Sequence, residues 1–192
     1  MMLHRKTVSG NQSLQAPWLF RTRRPILTIL VFCFVHIAPN LSMASEKERL
    51  VILPFEIIDN IPGPGSKERN EQMLKNLTTF IGEMIKEHEL FEVVTQKMVN
   101  DLVSAAQLGT EVHNCNLCEF DLARQAGGDK VMIGWIYKMS LLILTLHIEI
   151  KDVSGEQTII RKAYDFRGDN EHAWSRAAKY MVRDLKSMMA KY

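Results

Sequence analysis

KVMIGWIYKMSLLILTLHIEIKDVSGEQTIIRKAYDF, residues 130–166, carries the strongest fold signal in the chain. Its first part, Lys130 to Met139, alternates Val131, Ile133, Trp135 and Tyr137 onto one side. Its middle alternates Leu142, Leu144, Leu146, Ile148 and Ile150 against Thr145, His147, Glu149 and Lys151. A period of two is the side-chain period of a β-strand. A tight turn is expected around Lys138 to Leu141. Val153-Ser154-Gly155-Glu156 reads as a second hairpin turn into Gln157 to Phe166. Two consecutive hairpins make three antiparallel strands.

Upstream the pattern changes. Leu50-Val51-Ile52-Leu53-Pro54-Phe55 is a continuous apolar run, the mark of a strand buried on both faces and ended by Pro54. Asp59 to Ser66 is dense in turn formers and predicts a loop. Ser66 is placed to cap a helix, with Leu74, Leu77, Ile81, Met84 and Ile85 on its inner face. Leu90 to Thr95 reads as a short second strand. Thr95 can cap a second helix that turns Met98, Leu102 and Ala105 inward. A third helix runs from Leu117 through Phe120, Leu122, Ala123 and Ala126 to a stop at Gly127-Gly128. After the hairpins, Gly168 breaks the strand and Asp169 caps a last helix with the stripe Trp174, Ala178, Met181, Leu185 and Met188. The order β-α-β-α-α-β-β-β-α predicts an α+β fold with one mixed five-stranded sheet. Strand–helix–strand favours a parallel pair at its start, and the hairpins make its second half antiparallel.

The first 44 residues read as a signal peptide and residues 45–192 as a single α+β domain. Arg21, Arg23 and Arg24 precede an apolar run, Ile26 to Ala38, of signal-peptide length and too short to span a bilayer. Ser42-Met43-Ala44 supplies small residues before a cut at Ser45. The general secretory route and the twin-arginine route both stay open. The segment carries five of the 24 basic residues and none of the 22 acidic ones, so residues 45–192 hold 19 against 22, a net charge of −3. The basicity of the whole chain is therefore addressing information and not a nucleic-acid footprint.

Chemistry-bearing residues are few. Cys115 and Cys118 stand as Cys-x-x-Cys. A c-type haem would need histidine at position 119, where this chain has Glu119. A thioredoxin-like centre would want a proline loop downstream, yet all six prolines lie upstream of Cys115. A metal site would recruit His113 and a carboxylate such as Glu119 or Asp121. The expectation is a local disulfide pinning the start of the third helix, with dithiol catalysis and metal binding as alternatives. Thr145, His147 and Glu149 share the polar face of a strand and form one candidate partner surface. Trp135 and Tyr137 are expected to be core more than contact. A small-ligand cleft beside the loop at 61–66 is a further idea. Gly63-Pro64-Gly65-Ser66-Lys67 lacks phosphate-loop spacing. No Ser/His/Asp grouping stands out, so neither catalytic residues nor a cofactor are expected.

The segment CNLCEFDLARQAGGDKVMIGWIYKMSLLILTLHIEIKDVSGE, with YDFRGDNEHAWSRAAKYMVRDL after it, resembles an uncharacterised family of small secreted bacterial proteins. That family carries a Cys-Asn-x-Cys-Glu motif, a Gly-Trp strand and an Arg-Gly-Asn/Asp-x-x-x-x-Trp helix start. The opening RLVILPFEIIDN is similar to the first strand of TolB N-terminal and CsgG-like domains. The resemblance implies a non-enzymatic periplasmic accessory protein that binds an envelope or periplasmic partner. It also implies a link to quinoprotein alcohol oxidation. The alternative is a periplasmic thiol-redox or metal-handling protein using Cys115 and Cys118.

Overall fold

The computed structural model describes residues 46–63, 65–107, 112–115 and 117–190. The leader expected over residues 1–44 lies outside the described residues, as do residues 108–111 before the cysteines. The elements in chain order are β1 (Arg49–Ile52), β2 (Glu56–Asp59), α1 (Ser66–Glu87), β3 (Glu92–Val93), α2 (Gln96–Ala105), a 3-10 turn (Val112–Asn114), α3 (Cys118–Gln125), β4 (Lys130–Lys138), β5 (Ile143–Asp152), β6 (Gln157–Arg167) and α4 (Glu171–Met189). The strands form the mixed α+β sheet predicted, ordered β3-β1-β4-β5-β6, with β2 also on β4. The pairs β1–β3, β1–β4 and β2–β4 are parallel, while β4–β5 and β5–β6 are antiparallel hairpins.

The sheet has six strands among the described residues, one more than expected, because LVILPF is not a single strand. β1 and β2 follow one another along the same side of β4, the first against Lys130–Met132 and the second against Trp135–Lys138. Pro54, with no N–H to give, sits in the gap. Phe55 turns its N–H away from β4 and donates it to Thr78 Oγ1 on α1 at 3.2 Å. Thr78 in turn donates to the Leu74 carbonyl at 2.9 Å. The Phe55 ring lies on Gly134 of β4, where a Cβ would stand 2.1 Å from it. The missing side chain on β4 makes the room for the break in its neighbour.

Alternation along β5 sorts the residues into two cores. Leu144, Leu146, Ile148 and Ile150 face α1 and α4 and are fully buried with Leu50, Ile52, Ile81, Ile85, Met181 and Leu185. Each such side chain contributes about 1.5–3 kcal/mol by leaving water. On the other face Val51, Leu53, Val131 and Ile133 meet Val99 of α2, Val112 of the 3-10 turn and Phe120 and Ala123 of α3. This second layer packs on β1 and β4. Thr145 and His147 of β5 remain half-exposed on the same face.

Several local expectations need correction. Ser66 begins α1 rather than capping it: Gly65 holds the cap position at φ 67°, without a side-chain bond. Thr95 occupies its cap position but makes no side-chain cap bond. Asn170, not Asp169, caps α4, its side chain accepting from Ala173 N–H at 3.0 Å. On α2 it is Val99 that is buried, and Met98 is exposed. Leu142 falls in the turn, out of the alternation that holds from Leu144 onward, and is exposed.

Candidate functional site

β2 is a free edge. It pairs with β4 on one side, and among the described residues no strand pairs with the other. Asn60 donates to the Lys138 carbonyl at 3.4 Å. Parallel pairing alternates, so Ile57 and Asp59 turn their N–H groups toward the open side. That side is the floor of a cleft of about 1220 Å³. α1 forms one wall, with Lys67, Asn70 and Leu74, and α2 with His113 forms the other, including Gln96 and Lys97. Pro62 and Ser66 line it as well, so the cleft lies beside the loop at 61–66.

At the end of β2 the cleft meets a buried charge cluster. Lys138, 1% exposed, pairs with Asp59 at 3.2 Å and Asp169 at 2.8 Å. Arg69 reaches Asp169 at 2.7 Å, and Asn70 donates to Asp59 at 3.2 Å. Burial pushes the Asp59 carboxyl up, but the Ile61 N–H, Lys138 and Asn70 outweigh it and hold the group below the ordinary aspartate value. This assembly explains why Asp169 does not cap α4.

From the other wall a line of rings crosses onto the sheet. Glu56 of β2 accepts from the N–H groups of Val112 and His113 and pairs with His113 Nδ1. That fixes the His113 ring against Trp135, centroids 5.6 Å apart. Trp135 stacks in turn on His147, its cross-strand partner, at 4.9 Å and 1° between planes. Burial lowers the His147 pKa below its ordinary value, against the pull of Asp165 and Glu149. Thr145 donates to Asp165 at 2.7 Å. Glu149 is buried, held by Arg161 at 2.6 Å and Lys151 at 3.4 Å. Thr145 and His147 thus stand at the surface with Trp135 and Tyr137 half-buried beside them, while Glu149 lies beneath.

Cys115 and Cys118 are at disulfide distance, Cα atoms 5.7 Å apart. Leu117 between them takes φ 73° at the start of α3. Glu119 follows, buried, with one carboxylate oxygen on Lys151 at 2.8 Å and the other, Oε2, without a partner among the described residues. The two sulfurs and the Glu119 carboxylate lie within 4.8 Å of one another. A disulfide leaves no thiolate to ligate; the reduced pair with Glu119 offers a three-donor set of the type that suits zinc. His113 is engaged by Glu56. Through Lys151, which touches both Glu119 and Glu149, the cysteine site and the β5 face are joined.

The β5 face residues come together as their alternation implies. The Glu56–His113 contact and the Lys138 cluster carry no local signal, because their partners lie 57 and 79 residues apart.

Among the described residues no helix is long and apolar enough to cross a membrane. No curated protein matches the chain. Among solved structures it is similar to lipoprotein GNA1162 from Neisseria meningitidis, at 11% identity over 74% of this chain and 96% of that one, with a TM-score of 0.49. It is similar to the LpoB C-terminal domain from Salmonella enterica, at 11% identity over 65% and 85%, with a TM-score of 0.38. It is also similar to TolB from Acinetobacter baumannii, at 13% identity over 72% of this chain and 29% of that one, with a TM-score of 0.39. Residues 48–185, which hold all six strands and the cleft, match the profile of the family described as "Protein of unknown function (DUF2380)", and the chain belongs to that family.

Proposed function

We propose that the chain is a non-enzymatic exported accessory protein of the periplasm that binds an envelope or periplasmic partner. Residues 1–44 serve as its signal peptide and residues 45–192 as its single domain. The observation that carries the reading is the free edge of β2 at the floor of an open cleft. An extended segment of a partner can add there as a strand. Main-chain bonds to Ile57 and Asp59 would give affinity, and the α1 and α2 walls would give specificity. The face with Thr145, His147 and Trp135, with Glu149 beneath, extends the contact from the other side of Glu56. The link to quinoprotein alcohol oxidation rests on the family resemblance alone. A photo-crosslinking residue at Lys67 or Lys97 in the cleft walls should capture one partner polypeptide in periplasm, and the same residue at Lys162 on β6 should not. Equal capture at all three positions, or none, sinks the reading; a captured quinoprotein dehydrogenase would support the alcohol-oxidation link.

A second reading is thiol-redox or metal handling by Cys115 and Cys118. What favours it is the unpartnered, buried Glu119 Oε2 beside the two sulfurs. A reduction potential far below that of catalytic dithiols, with no zinc retained by the reduced protein, excludes it. On the first reading the pair is a structural disulfide. Cys115→Ser/Cys118→Ser then keeps fold and partner capture, at a stability cost of about 2 kcal/mol or less for so short a loop.

A further inference from the structure

The turn joining β4 to β5 breaks the usual rule for turns. Tight turns are ordinarily built from Gly, Asn, Asp, Ser and Pro. Here Met139, Leu141, Leu142 and Ile143 are 57%, 60%, 69% and 45% exposed, and Ile61 beside them is also exposed. Runs of exposed apolar residues are avoided unless something uses them.

Four backbone N–H groups of this turn, those of Met139, Ser140, Leu142 and Ile143, are satisfied within it. Met139 and Ser140 both donate to the Ile143 carbonyl at 3.1 Å. The Ser140 hydroxyl oxygen accepts from Leu142 N–H at 3.2 Å and from Ile143 N–H at 3.0 Å. The Leu142 carbonyl is taken by Gly168 N–H at 3.2 Å. In water such closure by serine is common but dispensable, since solvent can satisfy a turn's N–H groups. In hydrocarbon each open group is costly, because no water is there to bond it. The base is rigid, because Lys138 at the end of β4 is locked by Asp59 and Asp169. Beside Ile143 its cross-strand partner Arg167 is exposed and makes no ion pair among the described residues.

We infer that the β4–β5 turn is a membrane wedge. Met139, Leu141, Leu142 and Ile143 enter the interfacial layer of an anionic phospholipid bilayer, Ser140 keeps the N–H groups of Leu142 and Ile143 satisfied there, and Arg167 meets the lipid phosphates. An apolar tip with a cationic rim is complementary to such a surface. The inference is independent of the strand-accepting cleft.

The test uses protein purified from cells expressing the whole chain, with vesicles of phosphatidylethanolamine and phosphatidylglycerol and, as comparison, neutral phosphatidylcholine. Leu142→Trp should give a fluorescence component, absent from the parent, that shifts to the blue with the anionic vesicles and is quenched by bromine on the upper acyl chain. Leu141→Asp in the Leu142→Trp background, at an exposed position and so harmless to the fold by circular dichroism, should abolish that quenching. Ser140→Ala decides the mechanism. It makes the tip more apolar, so mere stickiness would strengthen binding; the wedge instead predicts weakening of at least about tenfold, two N–H groups being left open. No quenching at position 142 overturns the inference, even if the chain floats with vesicles through another segment. So does stronger binding by Ser140→Ala, or crosslinking of the turn to a second copy or another protein without vesicle quenching.

Discussion

Lys138 shows how a single residue can be read wrongly when its neighbours in sequence are the only guide. It stands next to a turn, where a lysine is ordinarily solvated, yet its ammonium lies between Asp59 and Asp169 with almost no exposure. Removing it leaves the buried Asp59 carboxylate without a cation and Asp169 with Arg69 alone. Lys138→Ala should therefore cost about 3–5 kcal/mol in urea unfolding, while Lys138→Met combined with Asp59→Asn and Asp169→Asn should recover most of that loss. A triple variant as unstable as the single one would show that packing and not charge is the issue. His147 gives a second prediction. Its folded-state pKa lies below the ordinary 6.5, chiefly because burial disfavours the imidazolium. The unfolded chain then takes up the proton first as pH falls. Its contribution is whole above about pH 6.5, declines as pH drops toward the folded value, and levels off below it. Relative to His147→Gln, the wild type should lose stability as pH falls below about 6.5, as read from denaturation midpoints. A flat difference between the two would contradict the burial of the ring against Trp135. Alternation placed His147 on the polar face correctly; that Trp135 would cover it was not legible, since stacking depends on cross-strand register.

The most informative element is the interrupted edge made of β1 and β2. Apolar runs report burial on both faces, and LVILPF is indeed buried or nearly so throughout. What a run of this kind does not report is where the strand leaves its ladder. That depends on Gly134, 79 residues downstream of Phe55, and on Thr78 being present to receive the released N–H. Gly134→Ala forces a Cβ against the buried Phe55 ring and should cost about 1–3 kcal/mol. Gly134→Ala with Phe55→Leu should regain part of it; no recovery in a thermal melt would place the strain elsewhere. The cap of α4 teaches the same lesson on a smaller scale. Asp169 and Asn170 are equally good candidates by residue type, and the choice fell to Asn170 because Lys138 and Arg69 claim Asp169.

At the scale of the whole molecule, the proposed export and the fold make separate claims. If residues 1–44 are a signal peptide cut after Ala44, protein recovered from the periplasm should begin at Ser45 by intact mass, and fusion of residues 1–44 to a periplasm-dependent reporter should activate it. A periplasmic product retaining the apolar run Ile26 to Ala38 would instead make that run an anchor. Within residues 48–185 the sequence by itself determined the element order apart from the split of the first strand, the two antiparallel hairpins and the inner faces of α1 and α4. Those features follow from periods of 2 and 3.6, which are properties of neighbours along the chain. Only the tertiary structure decided that β1 and β2 share one side of β4, that β2 has an open edge above a cleft, that Glu56 holds His113 beside Trp135, and that the β4–β5 turn exposes four apolar side chains. Each of these depends on register or on partners tens of residues away, and a local pattern carries no record of either.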